Sequence, residues 1–238
     1  MSGPGRRLER VSGLPDALHL TEPRRGFGPV LAAIALAVTF QLAAPDTDLT
    51  QLVGVLIHGC VIVLALRAAG AEPRLIGWAA VVIALFALAA AVAVLAPGDP
   101  ARVAPRILTL MLVLMTPTVV IAGVIRELRE DGTITVQTVI CGLCLYLLLG
   151  LAFATLYGAI EDLGDQPFFK NGIPGRPDDF LYFSLATLTT TGYGDFSAAT
   201  ELGRAMSVTE ALVGQIYLVT VLAVIVSNVG QRRRSTPS

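Results

Sequence analysis

Long apolar runs constrain this chain more than any other feature of its sequence. Six of them follow one another, separated by turn-forming or charged residues: Phe27 to Ala44, Leu49 to Ala69, Leu75 to Ala96, Ile107 to Ile125, Val136 to Ile160 and Ala205 to Val229. An α-helix needs about 18–20 apolar residues to cross a hydrocarbon core of ~30 Å. The runs therefore predict an all-α membrane protein with six transmembrane helices.

Composition supports the membrane assignment and excludes other classes. The 238 residues are 54% hydrophobic and only 15% charged, whereas soluble domains average about 25% charged residues. A net charge of −1 without a basic block argues against a nucleic-acid partner. The two histidines, His19 and His58, lie on different segments, so we expect neither an enzyme nor a cofactor.

All three cysteines lie inside apolar runs. Cys141 and Cys144 have the spacing that brings two thiols together on a helix, but nothing nearby supplies further metal ligands or activates a thiolate. We therefore expect Cys60, Cys141 and Cys144 to pack in apolar surroundings and to form neither a disulfide framework nor a metal site.

The basic residues predict the orientation in the membrane. If the N-terminus is cytoplasmic, twelve of the 17 Lys and Arg residues fall on the cytoplasmic side, as the positive-inside rule requires. Both termini are then cytoplasmic, and the loop from Glu161 to Ser197 lies outside. The basic, polar segment 1–25 is predicted to be a cytoplasmic arm. A cleaved signal peptide is the alternative for this segment.

A short polar stretch, Thr189 to Asp195, lies between the last two long runs. A membrane tolerates such non-helical backbone only where it is buried in protein or lines a watery path. Gly192 and Gly194 flank Tyr193 and permit backbone angles that other residues avoid. Such a segment can turn successive carbonyl oxygens to one side, and oxygens arranged around an axis can replace the hydration shell of a potassium ion.

Residues 190–194, Thr-Thr-Gly-Tyr-Gly, resemble the TVGYG selectivity filter of potassium channels, with Thr191 where valine is usual. The resemblance covers about the last hundred residues. It includes a hydrophobic pore-helix run, Phe180 to Leu188, and an inner helix, roughly Gly203 to Gly230. It implies a pore domain at 130–231, made of an outer helix, a re-entrant pore helix, the filter and the inner helix.

The resemblance also assigns individual residues. The K⁺-binding filter would consist of Thr190, Thr191, Gly192, Tyr193 and Gly194. Thr189, Tyr182 and Asp195 would support the filter, with Tyr182 bonding Asp195 behind it. Some members of the family carry a buried acid behind the filter where this chain has Ala186. One chain supplies one filter segment and a closed ring needs four, so a homotetramer is expected.

The last span contains further candidate residues. Gly214 stands twenty residues after Gly194, where the family has a hinge glycine, but a glycine there could equally serve close helix packing. Gln215 is a candidate cavity or gate residue. Glu210 is an acid inside the span, and it either bonds behind the filter or reaches the interface. Whether Glu210 or His58 senses pH stays open.

The region 26–129 is predicted to be a four-helix transmembrane domain without a voltage sensor. A voltage sensor needs arginines repeated along one span, and the run from Ile107 to Ile125 contains none. We therefore expect opening to be insensitive to voltage, and the sequence does not indicate the stimulus. A short cytoplasmic tail, 232–238, would complete the chain.

These features together predict a potassium-selective channel of the plasma membrane that conducts K⁺ passively. Its expected partners are three further copies of itself and membrane lipids, and no regulatory ligand is indicated. A weakly selective cation channel is the alternative, as is a transporter subunit with a filter-like loop.

Overall fold

The computed structural model describes residues 26–45, 47–95, 100–131 and 136–234. Within these ranges the chain forms seven α-helices: α1 Gly28–Ala43, α2 Asp48–Ala68, α3 Pro73–Leu95, α4 Pro100–Asp131, α5 Val136–Leu163, α6 Pro177–Leu188 and α7 Glu201–Arg234. The all-α prediction is confirmed for this part of the chain. The predicted arm at 1–25 and the end of the predicted tail, 235–238, lie outside the described residues.

Length and hydropathy identify candidate membrane spans among the described helices. Three segments are long and apolar enough to cross a membrane, namely Leu49–Ala68, Pro73–Val92 and Val136–Leu163. Two shorter apolar helices, Gly28–Ala43 and Ile107–Gly123, accompany them. The structure thus contains the helices of a membrane protein, whereas the count of six spans stays a prediction.

Helix α5 lies at the centre of the molecule. Its residues Leu148, Leu151 and Tyr157 are fully buried and belong to one continuous apolar core shared with α1, α2, α4 and α6. A second apolar cluster joins α2, α3 and α4: Val55, Ile62, Leu66, Ala90 and Leu112. Long apolar side chains of α3, such as Trp78 and Leu85, stay exposed, as expected of a helix that faces lipid.

Close approach of α5 and α6 depends on a glycine. A Cβ atom on Gly150 would lie 2.8 Å from Leu185 Cδ2, closer than real Cβ contacts allow. Small residues at such contacts let transmembrane helices pack tightly. Gly150 therefore places α6 directly against α5, and this contact positions the segment that follows α6.

Candidate ion-conducting site

Helix α6 is short, and a proline and a side-chain hydrogen bond mark its N-terminus. Pro177 occupies its first turn, where a missing N–H costs nothing, and the Arg176 N–H donates to Asp179 Oδ2 at 3.0 Å. Its 12 residues span only ~18 Å, which is too short to cross a bilayer. Most of its length is buried against neighbouring helices, through Phe180, Leu181, Phe183, Ser184 and Leu188. The helix therefore ends within the protein at the buried Leu188, and residues 189–195 follow it and are exposed in the single chain.

The backbone of the candidate filter alternates in handedness. Positive φ angles occur at every second residue, with +57° at Thr190, +53° at Gly192 and +84° at Gly194. A backbone in which the sign of φ alternates can turn consecutive N–H groups to one side, which leaves the carbonyl oxygens facing the other. A positive φ at a β-branched residue such as Thr190 is rare and costs on the order of 1–3 kcal/mol.

Hydrogen bonds from the last turn of α6 hold the start of this segment. The backbone N–H groups of Thr191 and Gly192 both donate to the Ala186 carbonyl, at 2.9 and 3.1 Å. The Thr189 hydroxyl donates to the Leu185 carbonyl at 2.7 Å and lies 2.8 Å from the Thr191 hydroxyl. The segment is thus bonded to the C-terminal end of α6, where the helix dipole places a partial negative charge.

The contact that the resemblance implies between Tyr182 and Asp195 is present. The Tyr182 hydroxyl donates to Asp195 Oδ2 at 2.9 Å, and Asp195 Oδ1 accepts the N–H of Phe196 at 3.0 Å. The rings of Tyr182 and Tyr193 stack with centroids 5.9 Å apart and an interplanar angle of 12°. Helix α6 therefore contacts both ends of the segment.

Gln215 and Gly214 of α7 lie at the Thr190 end. Gln215 Nε2 donates to the Thr190 hydroxyl at 3.1 Å. A Cβ atom on Gly214 would stand 2.7 Å from the Leu188 carbonyl oxygen, so this glycine allows α7 to touch the end of α6. That geometry favours the packing alternative. Because α7 runs as one helix through Gly214, the hinge role stays a prediction.

Glu210 is fully buried, and it lies behind α6. Its Oε2 accepts the Tyr157 hydroxyl of α5 at 2.5 Å, and its Oε1 lies 2.5 Å from Ser184 Oγ of α6. Of the two alternatives for this acid, the structure thus selects bonding behind the filter. Sequence reasoning missed Tyr157 and Ser184 as its partners. The available signal was that an acid in an apolar span needs polar partners on neighbouring helices.

Glu161 holds the loop before α6, a role that sequence reasoning did not give to it. Its carboxylate accepts the N–H of Phe168 at 2.8 Å and that of Gly175 at 2.8 Å. The same loop pairs with the chain after the filter, since Ala199 N–H donates to the Phe168 carbonyl at 2.8 Å. Glu161 thus fixes the loop that joins α5 to α6 beside the segment 189–195.

The other candidate groups lie away from this site. Cys141 and Cys144 are buried in the packed face of α5, as expected, whereas Cys60 of α2 is exposed, so the prediction of a buried position is wrong for Cys60. His58 is buried in α2. Its Nδ1 lies 2.8 Å from the Gly54 carbonyl oxygen, and the nitrogen is the donor because a carbonyl can only accept. Among the described residues, no group of three or more His, Cys, Asp and Glu could hold a metal ion.

Comparisons with known proteins find similarity to ion channels. Residues 143–231, which include α6, the candidate filter and most of α7, match the family model described as "Ion channel". A local match of 46 residues is 50% identical to "Probable potassium channel protein 2" of Methanocaldococcus jannaschii. That match covers 18% of this chain and 13% of the relative. The chain therefore matches only a small part of that protein's length. No solved structure matches the chain.

Proposed function

We propose that this chain is one subunit of a potassium-selective channel, because residues 143–231 match an ion-channel family model and a local segment is similar to a probable potassium channel protein. Four copies would place their 189–195 segments around one axis. K⁺ would pass through the backbone oxygens of Thr190, Thr191, Gly192, Tyr193 and Gly194 and exchange its hydration shell for them. Ions would move passively, down their own gradient.

The alternating backbone of residues 190–194 is the observation that carries this proposal. A helix points its carbonyl oxygens along its axis, and an extended strand points them alternately to either side. Positive φ at Thr190, Gly192 and Gly194 instead supports a single row of carbonyl oxygens on one side of the segment. A strained β-branched residue at such a place is the kind of outlier found at functional sites. The hydrogen bonds of Thr191 and Gly192 to Ala186, and that of Tyr182 to Asp195, would hold the row rigid, as selectivity requires.

Exposed surfaces support assembly with further copies. In a single chain the ring of Tyr193 is 70% exposed although it follows a buried helix. Helix α7 also leaves an apolar stripe uncovered at helical spacing, formed by Val208, Leu212, Ile216 and Val219. A conducting path must be lined by the inner helix of every subunit, so these faces would meet other copies around a central cavity. We propose a homotetramer.

The proposal extends to topology and gating. Both termini would lie in the cytoplasm, so that the Asp195 end of the filter opens outside, and the protein would reside in the plasma membrane. Arg126 of α4 donates to the Gly70 carbonyl at the end of α2, at 2.8 Å. This arginine caps a helix and does not belong to a row of charges within the span, which supports voltage-independent opening.

Ion flux into liposomes tests the proposal. Purified protein would be reconstituted, and K⁺ uptake would be compared with Na⁺ uptake under equal gradients, together with a subunit count by crosslinking. We expect K⁺ flux far above Na⁺ flux and a ladder that ends at four subunits. Equal K⁺ and Na⁺ fluxes would instead favour a weakly selective cation channel, and a monomer without flux would favour a transporter subunit.

A further inference from the structure

A buried polar cluster joins the three helices of the pore module behind the candidate filter. It consists of Tyr157 on α5, Ser184 on α6 and Glu210 on α7. The side chain of Glu210 has no exposed surface, and Ser184 is likewise fully buried. Leaving such groups without partners in an apolar interior is costly, so the way in which the cluster satisfies its hydrogen bonds decides its role.

Three short oxygen–oxygen contacts define the cluster. Tyr157 Oη lies 2.5 Å from Glu210 Oε2, and Ser184 Oγ lies 2.5 Å from Glu210 Oε1. Ser184 Oγ also lies 2.7 Å from the carbonyl oxygen of Gly150 on α5. The contacts of Tyr157 with Glu210 and of Ser184 with Gly150 are in the range of O–H···O hydrogen bonds, and that of Ser184 with Glu210 is shorter than a usual one. Each contact requires one hydrogen between its two oxygens.

The hydroxyl groups supply only two of these three hydrogens. Tyr157 donates its one hydrogen to Glu210. The Gly150 carbonyl can only accept, so the single hydrogen of Ser184 belongs to that contact. A hydrogen shared between two acceptors makes two longer, bent contacts, as for Thr155 with two carbonyls at 3.0 Å, whereas both contacts of Ser184 are short. Two acceptor oxygens at 2.5 Å without a hydrogen between them would repel each other.

The remaining hydrogen has one available source, the carboxyl group of Glu210. We propose that Glu210 is a neutral carboxylic acid that donates to Ser184 while accepting from Tyr157, and that it is thereby a positioning residue for the filter. Through Ser184 it fixes α6 relative to α7, and α6 carries the 189–195 segment. This role rests on the proposed channel function. It differs from an acid on the pore helix itself, because position 186 is alanine.

Infrared spectroscopy on the purified protein tests the protonation state without any ion flux. At neutral pH the unmodified protein should show the C=O stretch of a protonated carboxyl, shifted in D₂O. The band should vanish in Glu210→Gln and persist in Glu201→Gln, a matched control that removes an exposed acid from the first turn of the same helix. A spectrum without such a band, or a band that Glu210→Gln leaves in place, would overturn the proposal.

Ion selectivity tests the positioning role. Glutamine at 210 is neutral, can donate to Ser184 and can accept from Tyr157, so Glu210→Gln should keep the K⁺/Na⁺ permeability ratio of the unmodified protein. Glu210→Ala leaves two buried hydroxyls without their partner, and the ratio should fall by roughly tenfold. Ser184→Ala removes the acceptor of the Glu210 hydrogen and should lower the ratio in the same direction.

The outcomes separate the two proposals. If Glu210→Gln lowers selectivity as much as Glu210→Ala, or if neither variant changes it, the positioning role is wrong. If Glu210→Ala does not assemble, Ser184→Ala takes its place: an unchanged ratio in Ser184→Ala would overturn the positioning role, and the infrared band still decides the protonation state. Failure of the unmodified protein to prefer K⁺ would overturn the channel proposal, whereas the infrared result would stand unaffected by it.

Discussion

The helices around residues 189–195 and the first four helices are held together in different ways. Side-chain hydrogen bonds across the chain join α5, α6 and α7: Ser184 to Gly150, Tyr146 to Leu188, Tyr217 to Gly142 and Gln215 to Thr190. The contacts among α2, α3 and α4 are mostly apolar, through residues such as Val55, Ile62 and Leu112.

The two regions differ because only the helices around residues 189–195 have to hold a backbone segment in an exact position. Apolar packing in a membrane holds helices together but competes with lipid tails that are equally apolar. A hydrogen bond has one short distance and one direction, so a network of them sets the position of a backbone more tightly. A segment that must hold carbonyl oxygens at ion-binding distances needs such a frame, and four helices with mostly apolar contacts do not provide one.

Gly194→Ala tests the filter side of the comparison and should have the largest effect. An alanine at φ +84° is strained by ~1–2 kcal/mol, four times in a tetramer, and it would turn the Gly194 carbonyl away from the row. We expect K⁺ flux into liposomes to fall to background while the tetramer still assembles.

Gly172→Ala is the matched control for this substitution. Gly172 has φ +72° and open space around its Cβ position, but it lies in the loop before α6. It should carry the same local strain with flux unchanged. If Gly194→Ala conducts as well as Gly172→Ala, the alternating backbone is not the conducting element.

Gly214→Ala tests whether close packing holds the frame together. The new methyl group would overlap the Leu188 carbonyl oxygen, which lies 2.7 Å from the Cβ position, and overpacking of this kind costs ~1–3 kcal/mol. Thermal denaturation in detergent should show a lower melting temperature and a smaller tetramer fraction.

Gly77→Ala provides the comparison in the other region. Gly77 of α3 has nothing within 4 Å of its Cβ position, so alanine should be neutral or stabilise the helix by up to about 1 kcal/mol. Equal behaviour of the Gly77 and Gly214 variants would remove the packing explanation and leave the hinge role of Gly214.

Tyr182→Phe should have a moderate effect, because it removes one bond from the frame. Loss of the 2.9 Å contact with Asp195 is worth about 1 kcal/mol, or roughly fivefold in an equilibrium, and should lower the K⁺/Na⁺ permeability ratio accordingly. The double variant Tyr182→Phe, Asp195→Asn should be no worse than the more affected single variant. Additive losses would show that the two side chains act separately.

Arg126→Gln should have the smallest effect on conduction. It removes the contact with the Gly70 carbonyl and should lower stability by no more than ~1 kcal/mol, as for other partly exposed hydrogen bonds. The dependence of the current on voltage should not change. A shifted activation curve would show that α4 senses the membrane field despite having no arginine within its apolar run.

Sequence patterns predicted the elements well but only part of the frame. Apolar run lengths located the helices, and the short run before the glycine-rich stretch indicated α6. The Tyr182–Asp195 contact followed from a known family and a separation of 13 residues. By contrast, Glu210 meets Ser184 and Tyr157 across 26 and 53 residues, and helix spacing alone does not predict which faces of α5, α6 and α7 meet.

The loop before α6 shows the same limit. Glu161 holds Phe168 and Gly175 through their backbone N–H groups, and such bonds leave no side-chain pattern in the sequence. The close contact of Gly214 with the Leu188 carbonyl is likewise visible only in the structure. Residue types and spacing thus predicted which segments matter, whereas their contacts required three-dimensional placement.

The most direct test of the central claim is the reversal potential of the reconstituted protein in a planar bilayer with K⁺ on one side and Na⁺ on the other. If the backbone oxygens of residues 190–194 select K⁺, the current should reverse far from zero, near the value for a membrane permeable to K⁺ alone. A reversal potential at zero would mean that Na⁺ passes as readily as K⁺, and it would contradict the account.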